Sequence, residues 1–89
     1  MKNYTARFIM YGPNDEGRIV CLGKDIIETG NRQKMLQSRY KWERTIMAKI
    51  AAAGETYDVV EREETEDKIT CTITPESMYM FSFEAKVEE

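Results

Sequence analysis

The segment that decides the fold is residues 31–54, NRQKMLQSRYKWERTIMAKIAAAG. Between Asn31 and Gly54 it contains no glycine or proline, and it is rich in residues that favour helices. Asn31 is a strong N-cap residue, and Gly54 stands where a left-handed residue commonly ends a helix. The segment therefore predicts one helix over residues 32–53, about 33 Å long at about 1.5 Å per residue.

The chain on both sides of this helix shows the two-residue alternation that is typical of strands. Two such segments precede the helix and three follow it, at residues 4–11, 18–24, 57–63, 68–74 and 78–87. Ile26 and Ile27 either extend the second segment or form a turn. The order ββαβββ predicts an α+β two-layer sandwich, in which one long helix packs on an antiparallel sheet of about five strands.

The composition excludes much catalytic chemistry. The chain has 89 residues, two cysteines and no histidine. Without histidine there is no Ser-His or Cys-His nucleophile pair and no histidine-liganded zinc. Cys21 and Cys71 are too far apart in sequence to form a CxxC motif. We therefore expect a single domain over residues 1–89 that is not an enzyme and has no metal or cofactor.

The sequence also carries an expectation about location. The first thirty residues contain no secretory pattern, and nowhere do 18 apolar residues run together. We expect a cytoplasmic protein with two reduced thiols and no contact with a membrane.

The formal net charge of −3 conceals an uneven distribution along the chain. Residues 1–50 hold ten Lys/Arg against five Asp/Glu, a net +5, whereas residues 51–89 hold three against eleven, a net −8. Two explanations are open. The chain presents two binding faces of opposite sign, or its basic helix lies across an acidic sheet edge within one molecule.

The helix contains one anomaly. At 100° per residue, an arc of about 160° forms the predicted core face, and its members are Met35, Leu36, Tyr40, Trp42, Ile46, Met47, Ile50 and Ala53. Arg39 and Glu43, spaced i and i+4, lie in the middle of this face. Three explanations remain open: a bend near Ser38 or an overhang that leaves Arg39 wet, a buried structural ion pair, or a pocket for an anionic ligand.

Two surfaces are candidates for binding. The opposite side of the helix carries Lys34, Lys41, Arg44 and Lys49, with Tyr40 and Trp42 near its boundary. Cations interleaved with aromatic rings suit a nucleic acid, although a pI of about 5.1 weighs against one. The outer face of the sheet combines methionines and threonines with Val60 or Ile9, and we interpret it as a partly apolar docking surface for a second copy or a partner; its other members are Met78, Met80, Thr70, Thr72 and Thr74.

These features predict a non-enzymatic binding module that acts through protein–protein contact or self-association. Accessory and inhibitor proteins of phage type are the kind of protein that we expect. The predicted partner-binding residues are Arg39, Tyr40, Lys41, Trp42, Glu43 and Arg44. The alternatives are nucleic-acid binding through the basic helix face and a pocket for a small anionic ligand at Arg39.

Overall fold

The computed structural model describes residues 2–88 and contains one helix packed on one sheet. The elements are β1 (Tyr4–Pro13), β2 (Ile19–Gly30), α1 (Arg32–Ala52), β3 (Tyr57–Glu64), β4 (Lys68–Pro75) and β5 (Met80–Val87). The strand order is β2-β1-β5-β4-β3, and every neighbouring pair is antiparallel. The predicted fold class, a helix on a five-stranded antiparallel sheet in the order ββαβββ, is confirmed.

Both predicted ends of α1 are confirmed to within one residue. The side-chain oxygen of Asn31 accepts a hydrogen bond from the backbone N–H of Lys34 at 2.9 Å, as an N-cap does. At the other end Gly54 has a φ of +79° and donates its N–H to the carbonyl of Ala51 at 3.0 Å. Among the described residues, no helix is long and apolar enough to cross a membrane.

The core lies between α1 and the face that β1, β5 and β4 turn toward it. Its buried members are Tyr4, Ala6, Met35, Trp42, Ile46, Ile50, Ile69, Cys71, Ile73, Phe83 and Ala85. Phe8, Phe83 and Cys71 are register partners across the three strands. The ring of Trp42 contacts Phe8 and Phe83, with centroid distances of 6.1 Å and 5.9 Å. Aromatic packing therefore holds the helix against the centre of the sheet.

The strands differ from their predicted limits by one or two residues, except β2, which differs by more. β2 continues through Ile26 and Ile27 to Gly30. The sequence does not reveal this full length, because two register shifts against β1 interrupt the alternation that marks a strand. β5 begins at Met80 rather than at Met78, which lies in the preceding loop and is exposed. The open question at Ile26 and Ile27 is therefore settled in favour of a longer strand.

The outer face of the sheet has a polar centre. Thr70 and Thr72 are buried. The hydroxyl of Thr70 donates to Glu61 at 3.0 Å, and the hydroxyls of Thr72 and Ser82 lie 3.0 Å apart. Ile9, the register partner of Ser82, is also buried on this face. A docking surface on the outer face stays a prediction.

The glycine that ends α1 provides a test of the helix terminus. Gly54→Ala should lower the free energy of unfolding by about 1 kcal/mol, because a side chain disfavours a positive φ. The space around Gly54 is open, so the cost is conformational and not steric. Gly23→Ala is the matched control, since its surroundings are also open and its φ is not positive. Urea denaturation followed by Trp42 fluorescence measures both, and equal effects would contradict the assignment.

Candidate functional site

A buried carboxylate joins the helix to the sheet. Glu43 lies in the middle of α1, and its side chain is 8% exposed. Arg62 of β3 donates to its Oε1 from Nη2 at 2.5 Å and from Nε at 3.1 Å. The Cys71 thiol of β4 donates to the same oxygen at 3.1 Å, and Nε of Arg39 lies 3.6 Å from Oε2. One carboxylate therefore contacts groups from α1, β3 and β4.

The second carboxylate of this cluster is Glu64. It pairs with Arg39, whose side chain is only 13% exposed. Two guanidinium groups and two carboxylates therefore balance one another. The hydrogen bond from Arg39, and then its charge, lower the pKa of Glu64. The contribution of this pair to stability is present at neutral pH and is lost as the pH falls through that lowered pKa.

This geometry decides among the three explanations for Arg39 and Glu43. The helix continues past Ser38, so it does not break there. The side chain of Arg39 is only 13% exposed, so it is not left in water. Both carboxylates beside Arg39 belong to this chain. The structure therefore supports a buried structural ion pair, and it does not support a pocket for an anionic ligand at Arg39.

The six predicted partner-binding residues separate into two groups. Arg39, Trp42 and Glu43 are turned into the molecule, where they form the ion pair and the core. Tyr40, Lys41 and Arg44 are exposed. The placement of Tyr40 in the predicted core face is wrong, because the buried arc of α1 spans only about 100° and Tyr40 lies about 60° beyond Glu43.

The exposed group forms a cationic patch on the outer side of α1. We define the Tyr40 patch as Tyr40, Lys41, Arg44 and Lys49, which line a depression of about 540 Å³. The guanidinium of Arg44 lies 5.7 Å from the centroid of the Tyr40 ring, a cation–π contact. Within residues 2–88, no carboxylate lies within 4.0 Å of the three cations in this patch.

A groove runs between α1 and the edge strand β2, and sequence reasoning missed it. Its volume is about 450 Å³, and Ile27, Lys41 and Trp42 are among the residues that line it. Although Trp42 is buried, its indole Nε1 has no hydrogen-bond partner among the described residues. Ile26 and Ile27 were the sequence signal for this groove, and both are exposed on β2. The two bulges interrupt the alternation of β2, so the sequence did not identify the strand that carries these residues.

Comparisons with protein-family models, with curated proteins and with solved structures find no match for this chain. In the part of the chain that the structure describes, no group of three or more Cys, Asp or Glu side chains is placed to hold a metal ion.

The buried ion pair has a measurable effect on stability. Glu43→Gln should lower the free energy of unfolding by about 3 kcal/mol, because it leaves the nearly buried Arg39 and its neighbour Arg62 short of negative charge. The double variant Arg39→Met with Glu43→Leu should recover most of this loss, since apolar residues of similar size replace a buried pair well. Urea denaturation measures both variants. A single variant as stable as the parent would contradict the assigned role.

The two cysteines should differ in reactivity. Burial, and then a hydrogen bond to the Glu43 carboxylate, raise the pKa of the Cys71 thiol to about 12, whereas Cys21 is exposed. At about pH 8 a disulfide reagent such as DTNB should modify one thiol in the folded protein and both in denaturant. The Cys21→Ser variant should show no fast reaction. Rapid modification of Cys71 in the folded protein would mean that the core at β4 opens.

Proposed function

We propose that this chain is a non-enzymatic, cytoplasmic binding module that acts by contacting an acidic surface of another protein through the Tyr40 patch. The observation that carries the proposal is the set of cations in this patch that have no ion-pair partner in residues 2–88. An accessory or inhibitor protein that covers a partner's surface needs no catalytic group, only a rigid and complementary face.

Lys41, Arg44 and Lys49 are distinguished by clustering together without an ion pair, since Lys24 and Arg32 also have no carboxylate within 4.0 Å in residues 2–88 but lie elsewhere. The chain has 16 acidic residues against 13 basic ones, so carboxylates are in excess. Several other cations form ion pairs with these carboxylates: Arg39 and Arg62 contact Glu43, and Lys34 lies 3.3 Å from Glu28. Lys41, Arg44 and Lys49 instead cluster on one side of α1 with no such contact. Their charges are therefore available to a negatively charged partner.

The residue types support a contact surface. Tyrosine and arginine are enriched among the residues that dominate protein–protein binding. Tyr40 is 59% exposed, which is high for a large aromatic side chain in a helix with a formed core. The contact with Arg44 orders both side chains before binding, and this reduces the entropy lost when a partner covers them.

The same patch supports one alternative function. Lysine and arginine neutralise phosphates, and an exposed ring such as that of Tyr40 stacks on bases, so single-stranded nucleic acid is the second candidate. The excess of carboxylates in the chain opposes it by repelling the phosphate backbone at long range. Binding to a protein is therefore the function that we propose first.

A pair of charge reversals tests this proposal. Lys41→Glu with Arg44→Glu should abolish capture of the partner from a lysate of the native host, because it opposes the acidic surface of that partner. The matched control is Arg18→Glu with Lys86→Glu, which changes the net charge equally at exposed sites outside α1. The measurement is affinity capture with the parent and both variants, with and without nuclease.

The outcomes separate the two functions. One protein that is recovered after nuclease treatment by the parent and the control, but not by the Lys41/Arg44 variant, supports the proposal. Recovery that nuclease abolishes supports the nucleic-acid alternative, and binding should then weaken steeply with salt, by about one log unit per log unit of salt for each phosphate contact. Capture that the charge reversals at Lys41 and Arg44 leave unchanged would overturn both.

A further inference from the structure

We propose that the free edge of β2 is the docking site for an extended, acidic strand of the partner protein, which would pair with β2 as a sixth strand of the sheet. This inference depends on the proposed function, since it names the form in which the partner binds. The feature that motivates it is the sheet order, which ends at β2.

The backbone of β2 is the first argument. The strand is 12 residues long and pairs only with β1 among the described elements. On its other side, alternate backbone N–H and C=O groups face outward without a strand to receive them. An extended segment is what satisfies such a row of groups, and strand addition to a sheet edge is an established mode of peptide recognition.

The side chains of β2 are the second argument. Five large apolar residues of this strand are exposed: Ile19, Val20, Leu22, Ile26 and Ile27. The opposite edge, β3, carries four carboxylates in only eight residues, and charge on an edge strand discourages pairing. β2 carries Lys24, Asp25 and Glu28 in twelve residues, a lower density of charge than that of β3. Its apolar residues are therefore suited to an interface.

The bulges of β2 define where a strand would pair. The register against β1 skips Leu22 and Ile27, so the segment from Gly23 to Ile26 lies between two irregularities. Ile27, the residue at one bulge, also lines the groove beside α1. A docked strand would therefore pair along Gly23 to Ile26 and extend its side chains on one face into that groove.

The groove specifies the chemistry of the incoming side chain. Lys41 lines it and has no carboxylate partner in residues 2–88. Trp42 lines it too, and the indole N–H of this otherwise buried residue has no acceptor within residues 2–88. Lys34 is already paired with Glu28. A carboxylate from the docked strand would meet the charge of Lys41 and could accept the indole hydrogen bond.

The charges also argue against a second copy of this chain as the occupant. Symmetric pairing of two β2 edges about an axis perpendicular to the sheet would place both α1 helices on the same face, one on each side of the new strand pair. Lys41 lines the β2 side of each helix and has no carboxylate within 4.0 Å in residues 2–88, so like charges would approach one another. An acidic strand from a different protein is attracted by Lys41, and this attraction opposes the repulsion from Asp25 of β2 and from Glu28, which Lys34 already neutralises.

A synthetic peptide tests the inference without knowledge of the partner. The probe has ten residues that alternate valine and glutamate, and the matched peptide alternates valine and lysine. Trp42, the only tryptophan, reports binding through its emission, and hydrogen exchange locates it. We expect the glutamate peptide to bind at least about tenfold more tightly than the lysine peptide. We also expect it to protect amides of β2 rather than of β3.

Two matched variants complete the test. Ile26→Glu adds to the free edge a charge, which natural edge strands use to resist pairing and which also repels the glutamates of the probe, so it should weaken binding of the glutamate peptide at least about tenfold. Met78→Glu makes the same change at a residue of nearly equal exposure, 60% against 62%, outside the sheet. It should leave binding unchanged.

The inference is overturned if the glutamate peptide shows no saturable binding up to roughly 1 mM, the weak end of specific recognition. It is also overturned if the peptide protects β3, or if the chain alone forms dimers or polymers that Ile26→Glu dissolves. Failure of the proposed function is distinguishable from these results. A partner captured through the Tyr40 patch but unaffected by Ile26→Glu rejects only the edge. Peptide binding at β2 with capture that is indifferent to Lys41 and Arg44 rejects only the patch.

Discussion

The arrangement of helix and sheet depends on the burial of one charged group. Glu43 lies on the side of α1 that faces the sheet, where an unpaired carboxylate would cost several kcal/mol. Arg39, Arg62 and Cys71 all contact it, so the charge is tolerable in only one alignment of the three elements. Apolar packing alone would tolerate small slides of a helix over a sheet, whereas this pairing does not. The remaining faces of α1, and therefore the position of the Tyr40 patch, follow from that constraint.

The features of the fold that depend on local chemistry could be predicted from the sequence. Asn31 and Gly54 mark the helix because each satisfies backbone groups close to it in the chain. Strands with one buried face, such as β4, can be recognised because apolar and polar residues alternate along them. β2 could not be delimited in this way, because its bulges reverse the alternation at Leu22 and Ile27.

The candidate site was less predictable because its decisive contacts are distant in the chain. The wheel identified Arg39 and Glu43 as an anomaly, but the partners that make their burial tolerable are Arg62 and Glu64, in a different element. No feature of the sequence near Arg39 or Glu43 predicts these pairings. Ion pairs between the two oppositely charged halves, such as Lys2 with Asp67 at 2.7 Å and Arg7 with Glu88 at 2.7 Å, account for part of the charge asymmetry within one molecule. The cations of the Tyr40 patch take part in none of the ion pairs within residues 2–88.

The pairing of β1 with β5 has a consequence for the order of events during synthesis. These strands come from opposite ends of the described chain, and Tyr4 is the register partner of Val87. The centre of the sheet therefore cannot form until β5 has left the ribosome, and it requires closure of a loop that spans nearly all of the residues between the two strands. Until then β2 and the core face of α1 have no completed sheet to cover them. Their apolar residues are thus exposed to chaperones and proteases until β5 has been synthesised and has paired with β1.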